Sequence, residues 1–526
     1  MKASKWVYGL TLATGLLGST AMAQDAVRVS INADIRSTYP GVNRDSNTDG
    51  VVHHMVEGLV AFKGNSDVAP LLAEKIDVSD DGLTYSFTLR NGVKFHNGAP
   101  LTADDVLFTW SKYMDKETKW RCFSDFSAKG NGEVVSLDKI DDRTVAFKLK
   151  QPSALFLGLL ARIDCGGTGI LHKDSFAADG SFVKPVGTGP YMLSEWKKGE
   201  YVELAKFDGY SSRSEKRDGY AGARKASIEK IRYVIIPDRS AAKAALFSGS
   251  IEVLSDLESG DLKEAKARKD ITITTAETMG LSGILMQTND PLLSNVKMRL
   301  AIAHAIDTKA IVDAVTQGTA KANNSPIPSV SAYYGPPQGE LIAYDPALSK
   351  KLAAEAGYKG ETIKMITNKR YQPSFDSAVF IQAMAREAGI NIELEVIEWA
   401  TQLDMYTKGN YQLMSFLYSA RLDPSLSFDM FSGPKATQPR KVWDNPEAQT
   451  LIEKSMKIGN QVERKKIFDT LEGMKIFDTL EGMFRKDMPM LVLYNGTDLA
   501  AYSNKLEGYE AWMAGQPRLW GVTVKK

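Results

Sequence analysis

The fold class is decided by residues 346–398, which read PALSKKLAAEAGYKGETIKMITNKRYQPSFDSAVFIQAMAREAGINIELEVIE. Apolar residues at helical spacing predict helices over residues 346–356 and 374–388, and short apolar runs predict strands over residues 362–367 and 391–398. This alternation of helix and strand indicates the α/β class, in which helices cover an open sheet. Ligand sites in such folds lie in crevices beyond the ends of the strands.

The same alternation continues upstream. Further strands are predicted over residues 27–31, 201–205, 231–236 and 251–254, and further helices over residues 47–60, 240–247 and 295–315. Residues 85–89 alternate polar and apolar side chains, and Asn91-Gly92 predicts a hairpin turn into residues 93–95. Thr102, followed by two aspartates, predicts the start of a helix. No linker rich in Pro, Gly or Ser divides the chain, so we expect domains built from discontinuous segments.

The first 23 residues have the pattern of a secretory signal peptide. Lys2 and Lys5 precede a largely apolar stretch over residues 6–17, and Ala21-Met22-Ala23 matches the A-x-A pattern that signal peptidase cleaves. A membrane anchor or a buried helix is the alternative. The apolar stretch is short for a bilayer span, however, and no Cys follows it for lipid attachment. We therefore expect cleavage before Gln24 and a mature protein in the periplasm.

Charge and length limit the classes of function. The 526-residue chain has a formal net charge of +1, which becomes about −1 without the two lysines of the signal peptide. A mixed surface without blocks of Lys or Arg argues against nucleic acid and against a membrane surface. No later apolar run is long enough to cross a bilayer, so we expect a soluble globular protein. Its length is too great for one core and predicts two or three domains.

Two cysteines are present, Cys122 and Cys165. An even pair in an oxidising compartment predicts a disulfide. In the chain-entropy picture, a bridge closing a loop of this size would contribute roughly 4 kcal/mol, less any strain. Two unpaired buried thiols are the alternative.

One nonapeptide, KIFDTLEGM, occurs twice in tandem, at residues 466–474 and 475–483. Nine residues at about 100° each turn a helix face by half a turn, so the two copies cannot share one apolar face. We therefore expect the helix to break near Gly473 or Gly482 and to loop one copy out, since glycine is a weak point of helices. The repeat is either a recent duplication or an error in the recorded sequence, and not a solenoid unit.

Several ordered motifs together resemble a known family. They are Val56–Val60, Ala69–Glu74, Val78–Tyr85, Leu89–Gly98, Leu101–Val106, Val186–Tyr191, Ala303–Asp307, Tyr344–Pro346 and Ala354–Tyr358. Their order and spacing resemble the large extracytoplasmic solute-binding proteins of family 5, the peptide/nickel/opine class. Those proteins serve ABC importers of dipeptides, oligopeptides, nickel complexes, glutathione and opines.

The resemblance implies an α/β, two-lobed periplasmic binding protein of the class II type, cluster C, with an extra subdomain in the first lobe. The first lobe would consist of residues 24–69, 186–277 and 492–526, the inserted subdomain of residues 70–185, and the second lobe of residues 278–491. Such receptors trap a ligand by hinge closure. The implied partners are a small-molecule or short-peptide ligand and the membrane permease subunits of an ABC transporter, with the receptor itself a monomer.

The resemblance also implies where the ligand binds. Peptide-binding relatives carry an Asp that captures the α-amino group of the ligand, and alignment on Asp423-Pro424 places Ala420 at that position, next to Arg421. An arginine offers a fork of donors suited to a carboxylate. The alternative is a structural salt bridge from Arg421 to Asp423 or Asp429. The predicted ligand contacts are Arg36, Ser37, Tyr39, Asn289, Trp399, Tyr418 and Arg421, although the aromatic residues could instead pack in the core and Asn289 could be a turn residue.

Motifs for catalysis are weak. The five histidines, His53, His54, His96, His172 and His304, lack H-x-x-x-H spacing, and the S-x-x-K at residues 194–197 lacks its usual companions. We therefore expect no enzyme, cofactor or metal site. The predicted function is the capture of a small peptide-like or opine-like organic acid. A nickel-complex or heme carrier, or a peptide-binding chaperone or chemoreceptor ligand protein, is the alternative.

Overall fold

The computed structural model describes residues 26–128, 130–331, 333–457 and 471–525. The predicted signal peptide, its cleavage site before Gln24, and residues 466–470 of the first nonapeptide copy lie outside these ranges. Within them, every helix is too short or too polar to cross a membrane.

The described ranges contain the following strands. They are β1 (Val27–Ile31), β2 (Val60–Phe62), β3 (Val68–Pro70), β4 (Ala73–Val78), β5 (Thr84–Leu89), β6 (Val134–Asp141), β7 (Thr144–Leu149), β8 (Tyr191–Lys197), β9 (Tyr201–Lys206), β10 (Lys230–Ile235), β11 (Val253–Leu254), β12 (Ile271–Met286), β13 (Ile363–Thr367), β14 (Ile392–Val396), β15 (Leu413–Tyr418), β16 (Met490–Ser503), β17 (Leu506–Glu507) and β18 (Thr523–Val524).

The same ranges contain the following α-helices. They are α1 (Ser46–Val52), α2 (Ala103–Tyr113), α3 (Phe123–Phe126), α4 (Phe156–Ala161), α5 (Arg239–Ser248), α6 (Leu262–Ala267), α7 (Val296–His304), α8 (Thr308–Thr316), α9 (Pro336–Gly339), α10 (Pro346–Glu355), α11 (Gln372–Glu387), α12 (Trp399–Lys408), α13 (Pro424–Asp429), α14 (Pro446–Lys457) and α15 (Leu471–Asp487).

Aspartates at helix starts explain several boundaries. The Asp345 carboxylate accepts a hydrogen bond from the Leu348 amide at 2.8 Å, and Pro346 occupies the first turn of α10. Asp307 likewise caps α8 through the Ala310 amide at 2.9 Å. This cap ends the continuous helix predicted over residues 295–315 and produces α7 and α8 instead.

Two other local predictions were wrong. The helix predicted over residues 47–60 ends at Val52, and residues 60–62 form β2. Residues 93–95 form no strand with a neighbour; Lys94 makes only an isolated bridge to Pro100. In both places a tertiary backbone contact replaces the local pattern, such as the Leu71 amide donating to the Leu59 carbonyl at 2.9 Å.

One ten-stranded sheet organises the molecule, in the order β14-β13-β15-β12-β16-β11-β1-β10-β9-β8. We call β11, β1, β10, β9 and β8 the first-lobe strands, and β15, β13 and β14 the second-lobe strands. The two longest strands, β12 and β16, are antiparallel neighbours that join these groups. The first half of β12, Ile271–Glu277, pairs with residues 497–503, and the second half, Leu281–Leu285, pairs with residues 490–495.

The pairing of β12 with β16 is irregular between Glu277 and Leu281. Here the Thr278 hydroxyl donates to the Gly496 carbonyl at 3.0 Å, and the Asn495 side chain donates to the Gly280 carbonyl at 3.0 Å. The pairing of the two long strands is therefore interrupted at one short segment, where a bend requires little loss of pairing.

A smaller four-stranded sheet, in the order β4-β5-β7-β6, lies within residues 73–149. Its core is aromatic: Phe87 contacts Phe147 with ring centroids 5.7 Å apart, and Phe147 contacts Phe156 at 5.5 Å. Beside it, Cys122 and Cys165 are fully buried and joined as a disulfide, with Cα atoms 5.6 Å apart.

The helix of the second nonapeptide copy is continuous. α15 runs from Leu471 to Asp487 and passes through both Gly473 and Gly482, so the expected break at these glycines is wrong. A Cβ atom at Gly482 would meet nothing within 4 Å, which means that this glycine faces open space. A glycine costs an exposed helix position only about 1 kcal/mol, less than burial of the neighbouring apolar side chains provides.

The second copy supplies the buried face of α15. Ile476, Phe477 and Leu480 are 9%, 1% and 0% exposed, and the stripe continues into Phe484 at 0%. The apolar residues of the second copy therefore lie on the same face as the buried residue Phe484 at the end of α15. Because nine residues turn a helix face by half a turn, only one of the two copies can share this face.

Candidate functional site

A cavity of about 120 Å³ lies beside the segment that follows β15. Since one water occupies roughly 10–15 Å³ of such space, the cavity has room for several waters or a small organic group. Its lining residues are Arg44, Asp49, Phe62, Ser66, Val68, Ala154, Leu155, Gly158, Leu159, Arg162, Ile163, Asp164, Ser419, Ala420, Arg421, Leu422, Asp423, Leu426, Ala514 and Gln516. The segment after β15 thus meets the segment around α4.

The second-lobe segment brings the Asp423 carboxylate and the Arg421 guanidinium to this cavity. Arg421 Nη1 donates to the Ser419 hydroxyl at 2.8 Å and to the Ser419 and Ala420 carbonyls at 3.2 Å each. Burial lowers the pKa of Arg421, which shows that nearby carboxylates do not compensate the cost of desolvating its charge.

The alternative salt bridge of Arg421 is not formed among the described residues. Asp423 instead caps α13, accepting from the Ser425 amide at 2.9 Å. Asp429 lies 3.6 Å from Lys441 Nζ. The Arg421 guanidinium is therefore left with neutral oxygen acceptors in the described part of the chain.

The other two arginines of the cavity are paired. Arg44 donates to both carboxylate oxygens of Asp49, with Nε at 3.0 Å. Arg162 holds Asp164 with two donors at 3.0 and 2.8 Å, and its Nη1 also reaches Asp125 at 2.7 Å. These pairs engage the carboxylates of the first-lobe side, so Arg421 is the lining arginine that has no ion pair among the described residues.

The two carboxylates respond differently to burial. Burial raises the pKa of Asp49 to about 7, in spite of Arg44. Burial also opposes ionisation of Asp164, but Arg162, Arg421 and Arg121 together outweigh it and lower the pKa of Asp164. Arg421 thus acts electrostatically on a carboxylate of the first-lobe side.

Apolar groups and one amide complete the lining. Phe62, Leu155 and Leu159 come from the first-lobe side, and Leu422 from the other. The side-chain oxygen of Gln516 is buried and accepts no hydrogen bond from the described residues. A ligand here would meet an apolar surface, a cation and a free amide oxygen.

Three of the predicted contacts, Arg36, Ser37 and Tyr39, do not line this cavity. Tyr39 is 8% exposed and stacks on Phe182, with ring centroids 4.3 Å apart. The Ser37 hydroxyl accepts from the Tyr39 amide at 2.9 Å, and Arg36 is exposed to solvent. In this structure the segment anchors the chain after β1.

Trp399 and Tyr418 also lie outside the lining. Trp399 begins α12 and packs against Tyr371 at a centroid distance of 5.0 Å. Tyr418 does end β15, but it is 6% exposed and its hydroxyl lies 3.2 Å from that of Tyr406. Both contribute to packing behind the cavity.

Asn289 lies in a different cavity of about 370 Å³, together with Lys364, Glu395 and Gln412. Of the predicted contacts, the structure brings only Arg421 to the cavity of about 120 Å³. The lining also includes five polar residues that were not predicted from the sequence: Arg44, Asp49, Arg162, Asp164 and Gln516. No local motif marks them, because they meet only through the fold.

One sheet shared by two lobes, with a partly apolar cavity beside it, is typical of two-lobed solute-binding proteins. The chain belongs to the bacterial extracellular solute-binding proteins of family 5, since the sequence profile described as "Bacterial extracellular solute-binding proteins, family 5 Middle" matches residues 67–439.

Individual relatives agree with this assignment. The chain is 26% identical over 508 residues to heme-binding protein A of Haemophilus influenzae, covering 92% of this chain and 88% of that protein. It is 29% identical over 431 residues to the dipeptide-binding protein of Escherichia coli, covering 77% of each. The solved structure of the ABC transporter-associated periplasmic binding protein DppA from Helicobacter pylori, in complex with peptide STSA, matches with a TM-score of 0.78 at 25% identity, over 95% of this chain and 98% of that one.

These findings confirm the resemblance and the predicted α/β, two-lobed fold class. The named relatives are heme-, dipeptide- and peptide-binding proteins, which supports a substrate-binding role.

Proposed function

We propose that this chain is the periplasmic substrate-binding component of an ABC importer and that it captures a small peptide-like or opine-like organic acid by closure of its two lobes. The observation that carries the proposal is Arg421, which forms no ion pair among the described residues while Arg44 and Arg162 are paired. A half-buried guanidinium of this kind favours a ligand carboxylate, which would supply a countercharge and two acceptor oxygens.

The same cavity offers little to a free amino group. Ala420 stands where peptide-binding relatives carry their amino-capturing Asp. The carboxylates of Asp49 and Asp164 are already engaged by Arg44 and Arg162. The Gln516 oxygen can accept an amide N–H instead. The ligand we propose therefore has a carboxylate and amide groups, and its affinity does not depend on a free α-amino group.

The remaining parts of the proposal follow from the sequence. Residues 1–23 are removed before Gln24, and the mature protein is a monomer that delivers its ligand to the permease subunits. The first lobe is formed by residues 24–69, 186–277 and 492–526, with residues 70–185 inserted, and the second by residues 278–491. The proposed function involves no nucleic acid, cofactor, metal or catalysis.

Calorimetry with N-acetyl-L-alanyl-L-alanine tests the role of Arg421. This probe has a carboxylate and amides but no free amine. We expect Arg421→Gln to weaken binding by about 2–5 kcal/mol, roughly 30-fold or more, because a charge-assisted pair in a desolvated cavity is lost. Arg143→Gln is the matched control, since it removes an arginine that pairs with Glu74 at 2.8 Å outside the cavity. Equal affinities of both variants and the parent would contradict the proposal.

The reciprocal exchange tests the amino-group argument in the same titrations. Ala420→Asp restores an acceptor for an ammonium group, so it should increase the affinity for L-alanyl-L-alanine relative to the acetylated probe. If the unsubstituted protein already prefers the free dipeptide, an unrecognised acceptor exists and this part of the proposal is wrong.

A further inference from the structure

The cavity wall that carries Arg162 and Asp164 is directly connected to the disulfide. Arg162, Ile163 and Asp164 line the cavity, and the next residue, Cys165, is joined to Cys122. The carboxylate of Asp164 lies within 4.0 Å of Cys165 Sγ. We call residues 162–168 the Cys165 loop.

The backbone of the Cys165 loop is unfavourable on its own. Gly166, Gly167 and Thr168 have φ values of 68°, 59° and 46°, three left-handed residues in succession. A left-handed conformation costs an ordinary residue such as threonine on the order of 1 kcal/mol or more, so surrounding contacts must maintain it. A Cβ atom at Gly58 would lie 1.9 Å from the Gly167 carbonyl oxygen, which shows how closely the loop is packed.

Ion pairs join the same two segments as the disulfide. Arg121 precedes Cys122 and lies 3.9 Å from Asp164. Asp125, three residues after Cys122, is 2.7 Å from Arg162. In addition, the Trp120 indole N–H donates to the Cys165 carbonyl at 3.1 Å. The covalent bridge therefore lies inside the charge network that orients Arg162 and Asp164.

We propose that the Cys122–Cys165 bridge is a positioning element of the ligand site, which holds Arg162 and Asp164 beside Arg421 so that the cavity can receive an anionic ligand. Loss of the bridge releases the Cys165 loop from its left-handed conformation and lets both charged side chains move. Ligand affinity then falls although the fold persists. This inference rests on the function proposed above.

The test compares the parent protein with the Cys122→Ser/Cys165→Ser double variant, using N-acetyl-L-alanyl-L-alanine in calorimetry. We expect the dissociation constant to rise about tenfold or more, as for other losses of a preorganised charge. Ile363→Ala is the matched control for stability, because Ile363 is fully buried in β13, away from the cavity lining. Its affinity should equal that of the parent in spite of its lower stability.

A second route avoids a variant that fails to fold. The folded parent is treated with a water-soluble phosphine, which breaks the S–S bond to give two thiols and is itself oxidised to the phosphine oxide with an oxygen atom from water. Hydrogen exchange is then followed in the Cys165 loop and in residues 363–367. Exchange should become faster in the loop and stay unchanged in the strand.

Equal affinity of the protein with and without the bridge would overturn the inference, even if its stability differs. If the parent does not bind the probe at all, the proposed ligand class fails, and exchange alone decides the positioning role. In that case unchanged exchange in residues 162–168 after loss of the bridge would overturn it, and faster exchange confined to that loop would support it.

Discussion

At the scale of single residues, three histidines are bonded to backbone carbonyls, two of them buried and His96 half-buried. His53, His54 and His96 lie 3.0, 2.8 and 3.1 Å from the carbonyl oxygens of Ile163, Gly50 and Gly189. Burial lowers their pKa values to about 4, about 3 and about 4. Burial favours the neutral ring and outweighs the carbonyl contacts, which by themselves raise the pKa.

These histidines predict a loss of stability in acid. A folded pKa below the unfolded value of about 6.5 means that unfolding takes up protons, so the contribution is full above pH 6.5 and falls as the pH drops towards 4. Each histidine should lower the free energy of unfolding by about 2 kcal/mol as the pH falls from 7 to 5. His96→Gln, which can still donate to Gly189, should reduce that slope in urea unfolding measured at both pH values.

The difference between parent and variant isolates His96 from other groups. Asp49, with a pKa raised to about 7, has the opposite sign, since its contribution declines as the pH rises from about 4 through 7. Asp49 is present in both proteins, so its contribution cancels in the difference between them. Parallel pH profiles of the two proteins would show that His96 is not held neutral.

Residue-level prediction was possible only where a local motif carried the information, and ligand contact by Arg421 stays a prediction. Arg421 could be placed in the cavity because Asp423-Pro424 fixes its position in the chain. The partners of that site, such as Arg44 and Gln516, are separated from it by hundreds of residues in places and meet it only after folding. Ligand contact by Arg36, Ser37, Tyr39, Asn289, Trp399 and Tyr418 stays a prediction, and none of them lines the same cavity as Arg421.

At the scale of elements, α15 shows which nonapeptide copy the fold uses. The second copy is fixed by polar contacts as well as by its buried stripe: the Ser325 hydroxyl donates to Glu481 at 2.6 Å, and Gln338 donates to Asp478 at 3.1 Å. Removal of either copy yields the same amino-acid sequence, since the copies are identical. One copy directly before Phe484 preserves all of these contacts.

We therefore expect a variant lacking nine residues, 475–483, to fold with equal or higher stability and to bind ligand as the parent does. Copy-specific substitutions supply the contrast. Leu480→Asp places a charge at a fully buried position and should cost about 3 kcal/mol or more. Leu471→Asp is the same change in the other copy, half a turn out of phase, and should cost much less. Thermal unfolding that ranks Leu471→Asp as equally harmful would contradict the phase argument.

Helix boundaries were the least predictable feature among the elements. The periodicity of residues 295–315 is helical throughout, and only the cap at Asp307 separates α7 from α8. A capping side chain competes with helix continuation by a margin of about 1 kcal/mol, which a search for periodicity does not resolve. The strands were predicted better, because burial on the sheet enforces their apolar pattern.

At the scale of the whole molecule, ligand should favour the closed arrangement of the lobes. A ligand that contacts both walls of the cavity binds the closed form better, so it shifts the population towards closure. Small-angle scattering with N-acetyl-L-alanyl-L-alanine should show a smaller radius of gyration. At a probe concentration one hundred times the dissociation constant, the folded state should also gain about 2.7 kcal/mol.

Arg421→Gln is the control for this measurement, because it leaves the irregular segment of β12 and β16 intact and removes only the anchor for the ligand. It should show neither compaction nor stabilisation at the same probe concentration. An unchanged radius for the parent at saturation would contradict closure by hinge bending.

The position of β16 also dictates when the molecule can be completed during its synthesis. β16 begins at Met490, 204 residues after the end of β12, yet it occupies the gap between β12 and β11 at the centre of the main sheet. Until it is made, both neighbours keep a row of unpaired backbone groups, the kind of edge on which other chains aggregate. In a chain interrupted before Met490, the strands on either side of β16 would consequently form two half-sheets that are not joined. The nascent polypeptide keeps these unpaired edges until residues 490–503 have emerged.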